Sequence, residues 1–344
     1  MSKKLRIGIL GTGNIAKQFA AGVQRGYRCS LAAVGSRSAA SATSFARQFG
    51  IGATHGSYDA LLKDKAVDAI YISGPNSTHH EWTLKALRAG KHVLCEKPFA
   101  LDAGQAEEMF DVAHAAGRVV MEAFMYLCHP QTAAVVDAIH RGQIGKLKLI
   151  RTAFCYCTNK IEGNIRFDRK LGGGALMDIG CYCVSLSRLL TGEEPAAIHA
   201  ETLLHKTGVD ELTTVSMRFP GGVQASFTCG MLTHADNTAH LSGDRGWIEV
   251  PWPWKPTPDK SGFTITQSIA PRQDQKSPAK PTAPSIPPRQ TVNVPVEGDL
   301  FGIEADEFAT AVLDAKPTKV PRAFTMGNMQ VLDEIRRQIG LRFE

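Results

Sequence analysis

The chain has 344 residues, of which 43% are hydrophobic and 21% are charged, and this ordinary globular composition excludes wholesale disorder. Its length fits two domains of ordinary size, each able to bury a core of its own. The formal net charge is only +6, and the stretch 255–289, with six basic and two acidic side chains, supplies four of those charges. We therefore interpret the excess as a solvated loop and expect no nucleic-acid partner, since such a surface places its charge on a structured face.

No apolar run approaches the ~18 residues of a membrane span, so no membrane association is expected. The apolar stretch at the amino terminus is too short for a signal peptide and runs directly into glycines. Eight cysteines are too few for a disulfide scaffold, and the C-x-C pairs Cys155/Cys157 and Cys181/Cys183 would each leave zinc two ligands short. The sequence predicts buried reduced thiols, no metal site and a cytoplasmic location.

The first motif is a glycine turn between a strand and a helix. An apolar run at 5–10 leads into G-x-G-x-x-A, and a helical pattern follows over 17–23. In a dinucleotide-binding unit the first glycine makes the turn and the second admits the pyrophosphate, while the small sixth residue packs the helix on the strand. Free N–H groups at the helix start then bind phosphate. The predicted phosphate-binding residues are Gly11, Thr12, Gly13, Asn14 and Ile15.

The end of the second strand indicates which dinucleotide is used. The predicted strand 30–35 ends at Ser36-Arg37-Ser38, and no Asp or Glu occurs from 30 through 49. An acidic residue would be expected here to bind the adenosine ribose 2′-hydroxyl of NAD, and it would repel a 2′-phosphate. The Arg37 guanidinium and the two serine hydroxyls instead suit that phosphate. We interpret this as a preference for NADP(H), the alternative being that Arg37 is a solvated loop residue and NAD is used.

Further β-α units complete a parallel, doubly wound sheet. Strands are predicted at 67–72, 91–95 and 119–123, with helices at 82–89 and 101–116 between them. Ligands bind outside the carboxyl ends of such strands. The polar residues at that edge are Ser73, Pro75, Asn76, Glu96 and Lys97, and we predict that they contact the cofactor.

From about 124 the β-α alternation stops. Helices are predicted at 131–141, 303–313 and 326–341, the last two placed in or against the second domain, and strands at 147–156, 213–219, 223–229, 238–241 and 247–250. This pattern favours a mainly antiparallel sheet covered by helices on one face. The fold class is thus α/β, with an amino-terminal Rossmann domain at 1–123 and a carboxyl-terminal α+β domain at 124–344. Residues 251–295 hold 11 of the 18 prolines and cannot run through the centre of a sheet. We expect a surface excursion there, with a lid as the alternative and 281–288 extended or mobile.

Motifs in both halves resemble one known family. The G-x-G-x-x-A start is followed by P-N-x-x-H at 75–79, E-K-P at 96–98, and GGG…D-x-G-x-Y from Gly172 to Tyr182. In this order they resemble the glucose–fructose oxidoreductase / inositol dehydrogenase (Gfo/Idh/MocA) family, nearer to its dimeric dihydrodiol dehydrogenase and glucose–fructose oxidoreductase types, because the last motif position is Tyr rather than His. The resemblance implies hydride transfer at a CH–OH or carbonyl carbon of a carbohydrate-like small molecule, and a homodimer or homotetramer formed through the open face of the second sheet.

Three residues are predicted to do the chemistry. Lys97 stands at a strand end, where a partly desolvated ammonium with a lowered pKa would hold the substrate oxygen and exchange its proton. Tyr182 offers a phenol that works as acid or base near a cation, and Asp178, four residues earlier on the same helix face, would orient substrate hydroxyls or Lys97. Their alternatives are a surface lysine, a core tyrosine and a helix cap. Arg166 resembles a family position near the cofactor or the substrate, and His129 is a candidate for the substrate pocket, whereas His79 and His80 are interpreted as structural or rim residues.

Two other functions stay open at this stage. Some relatives use a tightly held cofactor transiently to cleave glycosides, and others are non-catalytic NADP-sensing regulators, against which the intact Lys97, Asp178 and Tyr182 count. The sequence does not name the substrate or the direction of the reaction, because no motif fixes the second-domain side chains that would surround the substrate.

Overall fold

The computed structural model describes residues 4–267 and 288–343. Its first sheet has six strands: β1 (Leu5–Leu10), β2 (Cys29–Gly35), β3 (Ala53–His55), β4 (Ala69–Ile72), β5 (His92–Glu96) and β6 (Val120–Ala123). All neighbours are parallel, and the order is β3-β2-β1-β4-β5-β6. This is the strand order of a Rossmann domain, with its switch point between β1 and β4. The predicted α/β fold is confirmed, with strand ends shifted by one or two residues.

Five helices connect these strands: α1 (Asn14–Arg25), α2 (Ala39–Phe49), α3 (Tyr58–Leu62), α4 (His79–Arg88) and α5 (Ala103–Ala115). Small polar side chains fix three of the helix starts, since Ser38, Ser57 and Asp102 each accept a backbone N–H of the first turn of α2, α3 and α5. The apolar faces of the helices pack against the sheet in one continuous core. The glycine turn and the ends of β4 and β5 therefore meet at one edge.

The second sheet has eight strands: β7 (Leu147–Cys155), β8 (Ala197–Leu204), β9 (Asp210–Arg218), β10 (Gln224–Gly230), β11 (Ala239–Gly243), β12 (Gly246–Val250), β13 (Gly262–Gln267) and β14 (Arg289–Asn293). Their order is β14-β13-β12-β11-β7-β10-β9-β8, and only β7 and β10 pair in parallel. Buried and more exposed residues alternate along β9 and β10, so one face of the sheet carries the core. The mainly antiparallel sheet expected from the sequence is confirmed.

Five further helices belong to this part of the chain: α6 (Met125–Cys128), α7 (Pro130–His140), α8 (Cys181–Thr191), α9 (Leu300–Leu313) and α10 (Arg322–Gln338). A π-helical turn, Leu176–Gly180, runs directly into α8. Within the described ranges no helix combines the length and the apolar character that crossing a bilayer requires.

Two expectations for the carboxyl-terminal part are refined by the structure. Helix α9 packs against α1 of the first domain as well as against α6 of the second, and Arg28 pairs there with Asp314 at 2.7 Å. Helical periodicity predicts the helix but not the surface that receives it. The Pro-rich segment was expected to form a surface excursion, but it contributes strands β13 and β14. Both lie at one edge of the second sheet, which agrees with the expectation that prolines keep this segment out of the centre of the sheet. Most of the predicted extended segment 281–288 lies outside the described residues.

The cysteines follow the expectation with one exception. All eight are free thiols, and seven of them are buried, while Cys157 is exposed. Cys155 is buried and Cys157 is exposed because β7 ends at Cys155, so the alternation of the strand does not continue to Cys157.

Candidate active site

The glycine turn that is predicted to bind phosphate leads into an uncapped helix start beside open space. Helix α1 begins after Gly13, which adopts extended backbone and gives the helix start no side-chain cap. A Cβ built on Gly13 would meet no described atom within 4 Å, so this backbone faces open space. The first N–H groups of α1, with their partial positive charge, are therefore accessible to an anion. Thr12, Asn14 and Ile15 are partly or fully exposed at the same turn.

The end of β2 is followed by Arg37, which has no acidic residue near it in the sequence. Arg37 is exposed, and the structure gives its guanidinium no ion-pair partner among the residues it describes. The serines on either side are engaged locally, because Ser36 Oγ accepts the Ser38 N–H at 3.3 Å and Ser38 Oγ caps α2. The end of β2 thus offers an exposed guanidinium, while the two serine hydroxyls beside it take part in local hydrogen bonds.

The loop after β4 is hydrogen-bonded to β1, to the glycine run and to the loop after β5. Ser73 Oγ donates to the Leu10 carbonyl at 3.0 Å, and Asn76 Nδ2 donates to the Gly172 carbonyl at 2.8 Å. Pro75 precedes a short 3₁₀ turn, Asn76–Thr78. The buried His79 ring lies within hydrogen-bonding distance of the carbonyl oxygens of Gly74 and Pro98, which confirms its structural interpretation. The two loops thus form one rigid rim.

Lys97 and Asp178 meet across this rim. Lys97 Nζ donates to the main-chain carbonyl of Asp178 at 2.5 Å and lies 3.4 Å from Asp178 Oδ1. Arg166 Nε contacts the other carboxylate oxygen, Oδ2, at 2.7 Å. Burial alone would raise the pKa of Asp178, but Lys97, Arg166 and the hydrogen bonds to the carboxylate lower it to about 2. The carboxylate is therefore charged at every physiological pH.

The expected lowering of the Lys97 pKa is wrong for this state of the protein. Burial is the largest single influence and acts downward, but Asp178 and the other negative groups around Lys97 together outweigh it. The pKa consequently lies above the ordinary value of 10.5. At neutral pH the Nζ group is an ammonium, which is a donor suited to hold a carbonyl or alkoxide oxygen.

The aromatic ring of Tyr182 faces the Lys97 ammonium, whereas the Tyr182 hydroxyl points to another partner. Lys97 Nζ stands 5.0 Å from the Tyr182 ring centroid, and the Tyr182 hydroxyl donates to Met125 Sδ at 3.4 Å. Burial raises the pKa of this phenol well above 10. Phe154 and Trp254 pack against the ring with their own rings. Asp178 and Tyr182 thus both flank Lys97, although the π-helical turn between them turns their side chains to different surroundings.

Two predicted residues have side chains occupied elsewhere. The carboxyl group of Glu96 is buried and accepts the Tyr71 hydroxyl at 2.5 Å, and burial raises its pKa. Its side chain therefore links the end of β5 to Tyr71 on β4. The His129 ring is also buried, and Nδ1 accepts the N–H of Gln131 at the start of α7. This bond gives the ring a helix-capping role, and burial lowers its pKa to about 4. The place of His129 in a substrate pocket stays a prediction.

Sequence reasoning missed Tyr156 and Asp210. The Tyr156 hydroxyl donates to Asp178 Oδ2 at 2.9 Å. Asp210 is fully buried and accepts the Leu176 N–H at 2.7 Å, which fixes the start of the turn that carries Asp178. A Cβ on Gly174, which has φ +122°, would stand 2.0 Å from Asp210 Oδ1. The glycine run therefore makes room for this buried carboxyl, whose pKa burial raises to about 7.

Comparison with known proteins decides the family. Residues 5–124 match the model of an oxidoreductase family with an NAD-binding Rossmann fold, and residues 132–249 match the GFO/IDH/MocA carboxyl-terminal domain. An uncharacterized oxidoreductase of Rhizobium meliloti is 31% identical over 335 residues, which cover 97% of this chain and 96% of the relative. The chain belongs to the Gfo/Idh/MocA family. It is an oxidoreductase with an NAD(P)-binding domain, as the sequence predicted.

Enzymes with established names are similar to this chain over much of its length. Human trans-1,2-dihydrobenzene-1,2-diol dehydrogenase is 36% identical over 257 residues, or 74% of the chain and 76% of the relative. The structure of KijD10, a 3-ketoreductase of Actinomadura kijaniata in complex with NADP and TDP-benzene, superposes with a TM-score of 0.83 at 30% identity and 98% coverage of both chains. Aldose-aldose oxidoreductase of Caulobacter crescentus, at 24% identity, shares the fold with a TM-score of 0.85 and 98% and 97% coverage.

Proposed function

We propose that the protein is an NADP(H)-dependent oxidoreductase that transfers a hydride between the nicotinamide and a CH–OH or carbonyl carbon of a sugar, polyol or dihydrodiol-like substrate. The observation that carries this proposal is the Lys97–Asp178 pair, because Lys97 directly follows β5 at the sheet edge where the glycine turn also lies. The names of relatives that act on dihydrodiols, and of a neighbour that binds NADP, support the substrate class and the cofactor.

Each predicted binding residue would hold a definite part of the cofactor. The turn from Gly11 to Ile15 would bind the pyrophosphate, and Arg37 with its flanking serines would bind the 2′-phosphate. The rim residues Ser73, Pro75 and Asn76 and the backbone of Glu96 and Lys97 would border the nicotinamide end, with Arg166 above them. When bound, the nicotinamide accepts or supplies the hydride.

Lys97 performs the proton chemistry in this proposal. Its ammonium donates a hydrogen bond to the substrate oxygen and, during reduction, transfers a proton from Nζ to the alkoxide that forms. During oxidation the neutral amine takes that proton back. Asp178 keeps the ammonium charged and in place. Tyr182 is the second candidate for the proton, because its ring lies against Nζ, although its hydroxyl bonds to Met125.

The test is a panel of sugars, polyols and dihydrodiols assayed with NADP⁺ and NAD⁺, with reduced cofactor followed by absorbance. Tyr182→Phe separates the two proton candidates, because it removes only the hydroxyl and keeps the ring. If Lys97 carries the proton, the variant retains the pH profile of the wild type. A loss of about 10²- to 10⁴-fold in the rate of the chemical step would instead assign the proton to Tyr182. Absence of net cofactor reduction with every compound, together with cleavage of a glycoside, would favour the transient redox reaction of the glycosidase alternative.

A further inference from the structure

The two oxygens of the Asp178 carboxylate have unequal surroundings. Oδ2 accepts the Tyr156 hydroxyl at 2.9 Å and Arg166 Nε at 2.7 Å. A carboxylate oxygen has two lone-pair sites, so these two donors fill Oδ2. Oδ1 has one donor among the described residues, Lys97 Nζ, at the long distance of 3.4 Å. The capacity to accept a further hydrogen bond therefore lies on Oδ1.

Lys97 has a complementary capacity to donate. An ammonium has three N–H donors. One is directed to the Asp178 main-chain carbonyl at 2.5 Å, and one faces Oδ1 weakly, so a third is left for a ligand. A donor and an acceptor thus lie side by side. Two neighbouring oxygens of one substrate fit this pair, with the reacting oxygen accepting from Lys97 and the adjacent hydroxyl donating to Oδ1.

Of the two donors that fill Oδ2, Tyr156 is the better fixed. It directly follows β7, its N–H donates to the Gly230 carbonyl at 2.9 Å, and its side chain is partly buried. Arg166 lies on a short 3₁₀ turn, and 46% of its side chain is exposed. A donor on a sheet position costs less side-chain entropy than a long exposed guanidinium. Tyr156 is therefore the donor to Oδ2 whose position the fold restricts more closely.

We propose that Tyr156 is a positioning residue that fills Asp178 Oδ2 and so presents Oδ1, together with Lys97 Nζ, to two adjacent oxygens of the substrate. The proposal rests on the proposed function. It adds that the enzyme selects substrates with a hydroxyl next to the reacting carbon. Tyr156 acts here through Asp178, not as the proton donor, and burial raises the pKa of its phenol above the ordinary range.

The experiment compares Tyr156→Phe with Tyr27→Phe, a control at an exposed tyrosine on the outer surface. Substrates are a diol or sugar that the wild type oxidises and its deoxy analogue without the neighbouring hydroxyl. We expect Tyr156→Phe to raise KM for the diol roughly 10-fold with a smaller change in kcat, the scale of a hydrogen bond to a charged group. The deoxy analogue should lose less than about 2-fold. Equal losses for both substrates would overturn the selectivity claim.

A double-mutant cycle tests whether the tyrosine acts through the carboxylate. In an Asp178→Asn background, Tyr156→Phe should cause no further loss, because the group that it orients is already changed. Losses that multiply would overturn the proposal. Tyr156→His retains a ring N–H donor and should reverse part of the rise in KM, which a purely structural role would not predict.

A readout without turnover separates this proposal from the proposed function. If the wild type oxidises no compound of the panel, the proposed function fails, and a crystal structure of Tyr156→Phe then decides the role of Tyr156. We expect the Asp178 carboxylate to rotate in the variant and Oδ1 to leave Lys97. A carboxylate and Lys97 in the wild-type arrangement would overturn the proposal.

Discussion

Replacing Asp178 by Asn should lower the pKa of Lys97 and move the pH profile of the enzyme with it. Lys97 Nζ and Asp178 Oδ1 are 3.4 Å apart, and the two side chains are only 12% and 14% exposed. At an effective dielectric constant of about 20, two unit charges at this separation interact by about 5 kcal/mol. This is an upper figure because Arg166 shares the carboxylate. Opposite charges at such distances usually shift a pKa by about 1–3, and we expect a fall of that size in the variant.

The sign follows from the protonation state that each direction needs. Oxidation needs the neutral amine of Lys97, and the pKa of the wild-type group lies above 10.5, so kcat/KM for oxidation should rise with pH to the alkaline limit of stability. In Asp178→Asn the rise of kcat/KM should level off at a pH about 1–3 pH units lower than in the wild type. The assay is kcat/KM against pH, with reduced cofactor followed by absorbance.

The matched control for this experiment is Asp137→Asn, which removes an exposed carboxylate paired with Arg141 on α7. It should leave the profile of the wild type unchanged. An Asp178→Asn profile that coincides with that of the wild type would refute the electrostatic coupling between the carboxylate and Lys97.

Three further predictions concern the cofactor, the glycine run and assembly. Arg37→Ala should weaken NADP⁺ binding by about 1–3 kcal/mol and leave NAD⁺ nearly unchanged, as measured by titration; equal losses would contradict the 2′-phosphate assignment. Gly174→Ala should destabilise the protein by about 1–3 kcal/mol more than Gly192→Ala in chemical denaturation, because a Cβ at 174 meets Asp210 at 2.0 Å while one at 192, also at positive φ, meets no described atom within 4 Å. If the open face of the second sheet forms a dimer, Ser226→Arg should yield monomers in light scattering, and an unchanged mass would count against that interface.

The fold was largely predictable because its signals are local. The apolar run, the G-x-G-x-x-A pattern and the helical spacing after it predict a strand, a glycine turn and a helix between residues 5 and 25. The structure has these elements in that order. Strand β8, an exposed edge strand, was missed because it lacks a clear apolar alternation. Helix α9 was predicted in sequence, but its packing against α1 was not, since α1 lies almost 300 residues earlier in the chain.

The site was predictable only where a motif marks it. Lys97 and Asp178 stand in recognisable patterns, and the structure brings them together. Tyr156 carries no such signal, because its importance arises from a hydrogen bond to a residue 22 positions away that the fold alone creates. The direction of the Lys97 pKa was misjudged for a related reason. Desolvation can be expected at a strand end, whereas the balance against a neighbouring carboxylate depends on a distance of a few ångströms.

The most direct test of the central claim follows the hydride itself in the wild type and in Lys97→Met. A substrate that is active in the panel is labelled with deuterium at its carbinol carbon, and the isotope in the reduced NADP is measured, together with the turnover rate and the affinity for NADP⁺. We expect the label to pass directly to the nicotinamide in the wild type. In Lys97→Met we expect turnover to be abolished while NADP⁺ binding persists. Label lost to water, or substantial turnover by Lys97→Met, would contradict hydride transfer assisted by Lys97.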